Sequence, residues 1–96
     1  SKNRRRSYKY AETKPGNGVR YVVPQNINLD TESDVKLYFR VRDVYRNAKI
    51  TVKSGDKVIY SKKKPKLCPG EMEYVVVKAG DIHALDKKEL VVSAEV

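Results

Sequence analysis

VKLYFRVRD at residues 35–43, VYRNA at 44–48 and KITVKSGDKVIYS at 49–61 form the stretch whose reading decides the fold. In its first part Val35, Leu37, Phe39 and Val41 alternate with Lys36, Tyr38, Arg40 and Arg42. A period of two places one set on a buried face and the other toward water or a partner. Ser54-Gly55-Asp56 then separates two β-rich runs, which is a hairpin signature. A two-residue turn at Gly55-Asp56 sets Val52 opposite Ile59 and keeps Ile50 on the same face, with Val58 and Tyr60 pointing outward. Three consecutive antiparallel strands are thus expected as the scaffold.

Outward from that stretch, turn signals punctuate short runs of alternating residues. Pro15-Gly16-Asn17-Gly18 combines a fixed φ with residues that accept positive φ, so a simple turn is favoured over an anion-binding nest beside Arg20. Residues 19–23 read as a strand stopped by Pro24, and Ile27 with Leu29 as a short edge strand, followed by an acidic connection at 30–34. Lys62-Lys63-Lys64-Pro65 interrupts the β pattern, because proline cannot donate to a ladder, and implies an edge or a crossing between sheets. Beyond Pro69-Gly70, Met72, Tyr74 and Val76 are assigned to the core face and Glu73, Val75 and Val77 to the other. Residues 79–88 hold one helical turn with Asp81 as its N-cap and Ile82 and Leu85 pinned inward. Leu90, Val92 and Ala94 share the buried face of a last strand. The spacing of about seven short strands predicts an all-β, antiparallel sandwich of immunoglobulin or fibronectin type III type. A small Greek-key barrel of the OB type is the second choice. The expected core is Leu37, Phe39, Val41, Ile50, Val52, Ile59, Tyr74, Val76 and Leu90.

A chain of 96 residues supports one core and one domain. Residues 1–13 lack an apolar period and read as a flexible basic arm or linker, leaving 14–96 as the domain. The chain opens on Ser1 and its only methionine is Met72, which fits equally an excised domain and a product whose initiator was removed. No apolar run approaches the roughly 18 residues of a membrane span. The basic start is not followed by the apolar segment of a secretory signal. One cysteine, Cys68, makes no internal disulfide and fits a reducing, cytoplasmic compartment. A zinc site from Cys68, the single His83 and carboxylates has no ligand pair at zinc-finger spacing.

The net charge is +9, concentrated in clusters at Lys2, Arg4, Arg5, Arg6 and Lys9, at Lys62, Lys63, Lys64 and Lys66, and at Lys36, Arg40 and Arg42. Such clusters neutralise phosphates or an acidic surface, or else are a solvated tail and edge-strand lysines that discourage aggregation; the second reading is favoured. Tyr8 and Tyr10 interleave with Arg6 and Lys9 as a stacking-plus-phosphate arm for single strands does. Tyr38, Arg40, Arg42 and Tyr45 are candidate contacts on the domain itself, tyrosine and arginine being enriched at interface hot spots.

Catalytic constellations are missing. Nothing in the sequence draws Cys68 and His83 into hydrogen-bond reach, and no G-x-G-x-x-G, C-x-x-C or G-x-S-x-G occurs. The chain alone is therefore expected not to be an enzyme, to be colourless and to bind neither FAD nor NAD.

PGNGVRYVVPQ at 15–25, LYFRVRDVYRNAKITVKSGDKVIYSKKK at 37–64 and LCPGEME at 67–73 resemble the C-terminal β domain of bacterial FAD-dependent pyridine nucleotide-disulfide oxidoreductases. These are of the kind associated with anaerobic glycerol-3-phosphate dehydrogenase systems. The resemblance covers about residues 14–96 and contains no catalytic motif. It implies an accessory domain packed on a flavoprotein body or partner subunit, with the FAD and NAD(P) sites in that body and the basic arm as connector. The alternatives from other classes are a small basic nucleic-acid-binding domain and a general protein-interaction sandwich.

Overall fold

The computed structural model describes residues 9–85 and 89–96. Its elements run β1 Tyr10–Pro15, β2 Val19–Val23, β3 Asn26–Asn28, β4 Val35–Val41, β5 Tyr45–Ser54, β6 Lys57–Leu67, β7 Glu73–Val77, α1 Ala79–His83 and β8 Glu89–Glu95. The strands form a five-stranded sheet in the order β3-β1-β8-β5-β6 and a three-stranded sheet in the order β2-β4-β7. The protein is thus mostly β with one short helix. The small sheet is antiparallel, whereas β1 runs parallel to β8 in the large one. The purely antiparallel expectation fails at that pair: a hairpin turn joins neighbours in sequence, but β1 and β8 come from opposite ends of the chain.

One core lies between the sheets. Val22, Leu37, Phe39, Val41, Val75 and Val77 from the small sheet are buried with Ala11, Ile27, Ile50, Val52, Leu90 and Val92 from the large one. The alternation in β4 is borne out, since Leu37, Phe39 and Val41 are fully buried. Its neighbours are not the expected ones. β4 pairs with β2 and β7, while β5 pairs with β6 and β8, so two consecutive strands lie in different sheets. Residues 42–44, between them, carry no glycine and no positive φ to close a tight hairpin, whereas Gly55 at φ 63° closes the next one.

That second hairpin has its turn where expected, with Ser54 opposite Lys57, but a register shift between Val52 and Lys53 sets Val52 opposite Tyr60. The ladder passes over Ile59. A bulge turns two successive side chains toward one face, and both Ile59 and Tyr60 pack against the core while Val58 stays half exposed. Further along, Lys64-Pro65 does not stop β6, which continues to Leu67 as the edge of the large sheet. The ladder omits the position where Asn47 faces Pro65, and Asn47 takes a left-handed φ of 54°. The irregularity absorbs the donor that proline lacks.

Three other expectations need correction. In β7 the buried residues are Val75 and Val77, while Tyr74 is 53% exposed, Met72 is exposed and Val76 only partly covered. Register with β4 decides this, because Val75 stands beside buried Leu37 and Tyr74 beside outward Tyr38. At the N-terminus the last residues assigned to the arm are a strand. Tyr10 to Glu12 pair with β3, Glu12 to Pro15 pair with β8, and Ala11 and Thr13 are buried. The rest of the arm up to Tyr8 lies outside the described residues. Finally, α1 starts after Lys78, not at Asp81, and Asp34 Oδ1 accepts the Ala79 N–H at 3.0 Å. Ile82 and Leu85 do point inward.

Residues 16–18 form the expected turn, and its first amide is engaged within the fold. The Gly16 N–H donates to the Val92 carbonyl at 2.7 Å, and the Val19 N–H to the Gly16 carbonyl at 3.2 Å. Gly18 adopts φ +73°, and a Cβ there would stand 2.8 Å from the Ala94 carbonyl. Only glycine lets this turn lie so close on β8.

Candidate functional site: two outer faces

The first candidate is the outer face of the three-stranded sheet. Alternation in β4 turns Lys36, Tyr38 and Arg40 away from the core, and the ladder adds Tyr21 and Val23 from β2 and Tyr74 and Val76 from β7. Tyr38 and Tyr74, directly opposite each other, hold their rings 5.7 Å apart at 51°. The Lys36 ammonium lies 4.9 Å from the Tyr74 ring centroid, within cation–π range. Arg40 Nε donates to the Tyr21 hydroxyl at 2.8 Å, and its Nη1 to the Gly70 carbonyl at 3.0 Å. The arginine thereby ties the loop after β6 to the sheet and orders the face. Tyr21, Val23, Tyr38, Met72 and Tyr74 all remain exposed. Contacts with Arg40, with Lys36 and between rings hold the three tyrosines while leaving apolar surface to water, and aromatic residues are enriched in interface cores.

Two of the residues singled out from sequence, Tyr38 and Arg40, belong to this face. Arg42 lies just beyond the strand, with its N–H donating to the Gly18 carbonyl. Tyr45 is on the other sheet, partly buried against the core, with its ring edge near Gly18. It is therefore only partly exposed and stands apart from Tyr38 and Arg40. Tyr10 is exposed at the start of β1. Arg4, Arg5, Arg6 and Tyr8 lie outside the described residues. Sequence reasoning missed Tyr21, and it assigned Tyr74 to the core. Neither could be paired with Tyr38 until the strand order was known.

The second candidate is the β5–β6 hairpin. Arg46, Lys49, Lys53, Lys57, Lys62, Lys63, Lys64 and Lys66 stand against Asp56 alone, a net +7 of the chain's +9. The ladder sets Arg46 directly opposite Lys66 and Lys49 directly opposite Lys63. Among the described residues only Lys64 of this set has an ion-pair partner, Glu73 of β7 at 3.4 Å. Carboxylates of the large sheet lie mainly at its other side. There Glu89 of β8 meets Lys14 of β1 at 2.7 Å, with Glu12 at 3.9 Å. The hydrogen bond and charge of Glu89, then the charge of Glu12, push the Lys14 pKa up. The large sheet is thus acidic toward β1 and β8 and basic toward β5 and β6. The second basic cluster was legible in sequence, but its three partners on β5 were not, because they join it only through the hairpin register.

The one cysteine and the one histidine sit in different elements. Cys68 is half-buried in the loop before β7, and His83 lies in α1 after it, donating from Nε2 to the Thr31 carbonyl. Five strand residues separate the two elements, about 17 Å of extended chain. No group of three or more histidine, cysteine or acidic side chains suited to a metal occurs among the described residues. No helix is long and apolar enough to cross a membrane among them. Comparison of the chain with protein-family models, with curated proteins and with solved structures finds no match.

Proposed function

We propose that this chain is a non-catalytic docking module, an immunoglobulin-like sandwich that packs on the body of a larger protein or on a partner subunit. The outer face of β2-β4-β7 is its contact surface. One observation carries the reading: tyrosines from all three strands, Tyr21, Tyr38 and Tyr74, stand together on that face and remain exposed. Large aromatic side chains held in place by neighbours lose little entropy when covered, which is why they dominate interface energetics.

The resemblance of residues 14–96 to the C-terminal β domain of FAD-dependent oxidoreductases makes such a flavoprotein body, in a cytoplasmic setting, the first partner to test. In this reading FAD and NAD(P) belong to the body, and the chain itself binds neither. The test uses a flavoprotein of that family lacking its own C-terminal domain, titrated calorimetrically with the 96-residue chain. Association is expected, weakened at least about tenfold by Tyr38→Ala with Tyr74→Ala, since one interface hot spot contributes more than 1.4 kcal/mol. No heat of association defeats the flavoprotein partner. Association untouched by the double substitution defeats the face.

A further inference from the structure

We infer that the outer face of the β5–β6 hairpin binds the phosphate backbone of double-stranded nucleic acid, independently of the docking face. Two like-charged pairs, Arg46 with Lys66 and Lys49 with Lys63, stand directly opposite each other in this ladder. Like charges in that position destabilise a sheet. Edge protection accounts for lysines on β6, where free backbone groups invite a further strand. It does not account for Lys49 and Lys53, because along residues 49–53 β5 is flanked by both β6 and β8. Glu95 of β8 is the cross-strand neighbour on the other side of Lys49, and the ion pairs of the described residues do not include these two. An external polyanion relieves this repulsion.

The dimensions and chemistry of the row select the polyanion. From residue 46 to residue 53 the strand spans about 24 Å, a length over which a duplex presents roughly 14 phosphates. Tyr60, the hairpin's aromatic residue beyond Tyr45, packs against the core, so this face offers no ring for stacking an unpaired base. Apart from Arg46 the row consists of lysines, which contribute point charges without the bidentate geometry that reads base edges. Backbone contact without sequence preference follows. A membrane surface is less well matched, since the exposed apolar residue near the hairpin tip is the single Val58.

The test is fluorescence anisotropy of a labelled duplex of about 20 base pairs with the full 96-residue chain, across about 50 to 200 mM salt. Five phosphate contacts give an expected log–log slope of about −4.5. Lys49→Gln with Lys63→Gln should reduce that slope by about 1.8 while the circular dichroism spectrum stays that of the parent. A slope unchanged in this variant, with binding abolished by Arg4→Gln, Arg5→Gln and Arg6→Gln together, overturns the assignment to the hairpin. So does no duplex binding at the lowest salt. A single strand of equal length, or phosphatidylserine vesicles, bound tenfold more tightly than the duplex overturns the assignment to duplex.

Discussion

The two sheets of this domain share one core and present opposite kinds of surface. On the outer face of β2-β4-β7 the polar atoms are largely engaged with one another: Arg40 with the Tyr21 hydroxyl and two loop carbonyls, Lys36 with the Tyr74 ring. What remains for a partner there is apolar area. On the β5–β6 hairpin, cations face cations and only Lys64 has an acidic partner among the described residues. What remains there is charge. Burial of area favours a shaped protein partner with weak salt dependence, whereas unpaired charge favours a polyanion through release of its counterions. A charge-rich composition therefore says little about binding until the fold separates satisfied cations from unsatisfied ones.

That contrast presupposes a single core beneath both faces, and the largest expected effect tests it. Phe39, fully buried under the tyrosine face, belongs to the same cluster as Ile50 under the hairpin. Phe39→Ala should destabilise by about 3–5 kcal/mol, read by denaturant unfolding. Probes on the hairpin should lose their signal in the same transition as probes on the small sheet. A hairpin that melts separately would split the domain into two cooperative units.

A smaller effect sharpens the small-sheet side. Val75 is buried and Tyr74 beside it is exposed, so truncating the smaller residue should cost more. Val75→Ala should destabilise by about 2 kcal/mol. Tyr74→Ala loses the ring pair with Tyr38 and the Lys36 contact, about 1 kcal/mol. The reverse order in urea midpoints would mean that β7 presents its other face.

The smallest effect belongs to the hairpin and has the opposite sign. Removing the opposed charges with Lys49→Gln and Lys63→Gln should leave the domain unchanged or more stable, by roughly 0.2–1 kcal/mol. The gain should shrink as salt rises, since screening weakens the repulsion being removed. A loss of stability at low salt would show that these lysines serve the fold, and the contrast between the faces would fail.

β4 and β7 illustrate what was readable in advance. In β4 apolar and charged residues alternate, so Leu37, Phe39 and Val41 had one face available and took it. In β7 the run Tyr74-Val75-Val76-Val77 is apolar at every position, and alternation offers two equivalent assignments. Register against Leu37 and Tyr38 chose between them. β1 shows a different gap. TyrAlaGluThr at 10–13 has little apolar content, yet Ala11 and Thr13 are buried because β3 and β8 flank them.

Local chemistry by itself determined that this chain is a mostly β protein with a hairpin at Gly55-Asp56, a glycine-dependent turn at residues 16–18 and a core built on β4. Those features follow from residue-by-residue constraints, φ preferences and a period of two, that act within a few positions of one another. Only the tertiary structure decided which strands are neighbours. It placed β4 and β5 in different sheets, set β1 parallel to β8, and brought Tyr21, Tyr38 and Tyr74 to one face. It also set Lys49 against Lys63. Strand order depends on which faces can be buried together across the whole chain, a property that no single segment carries.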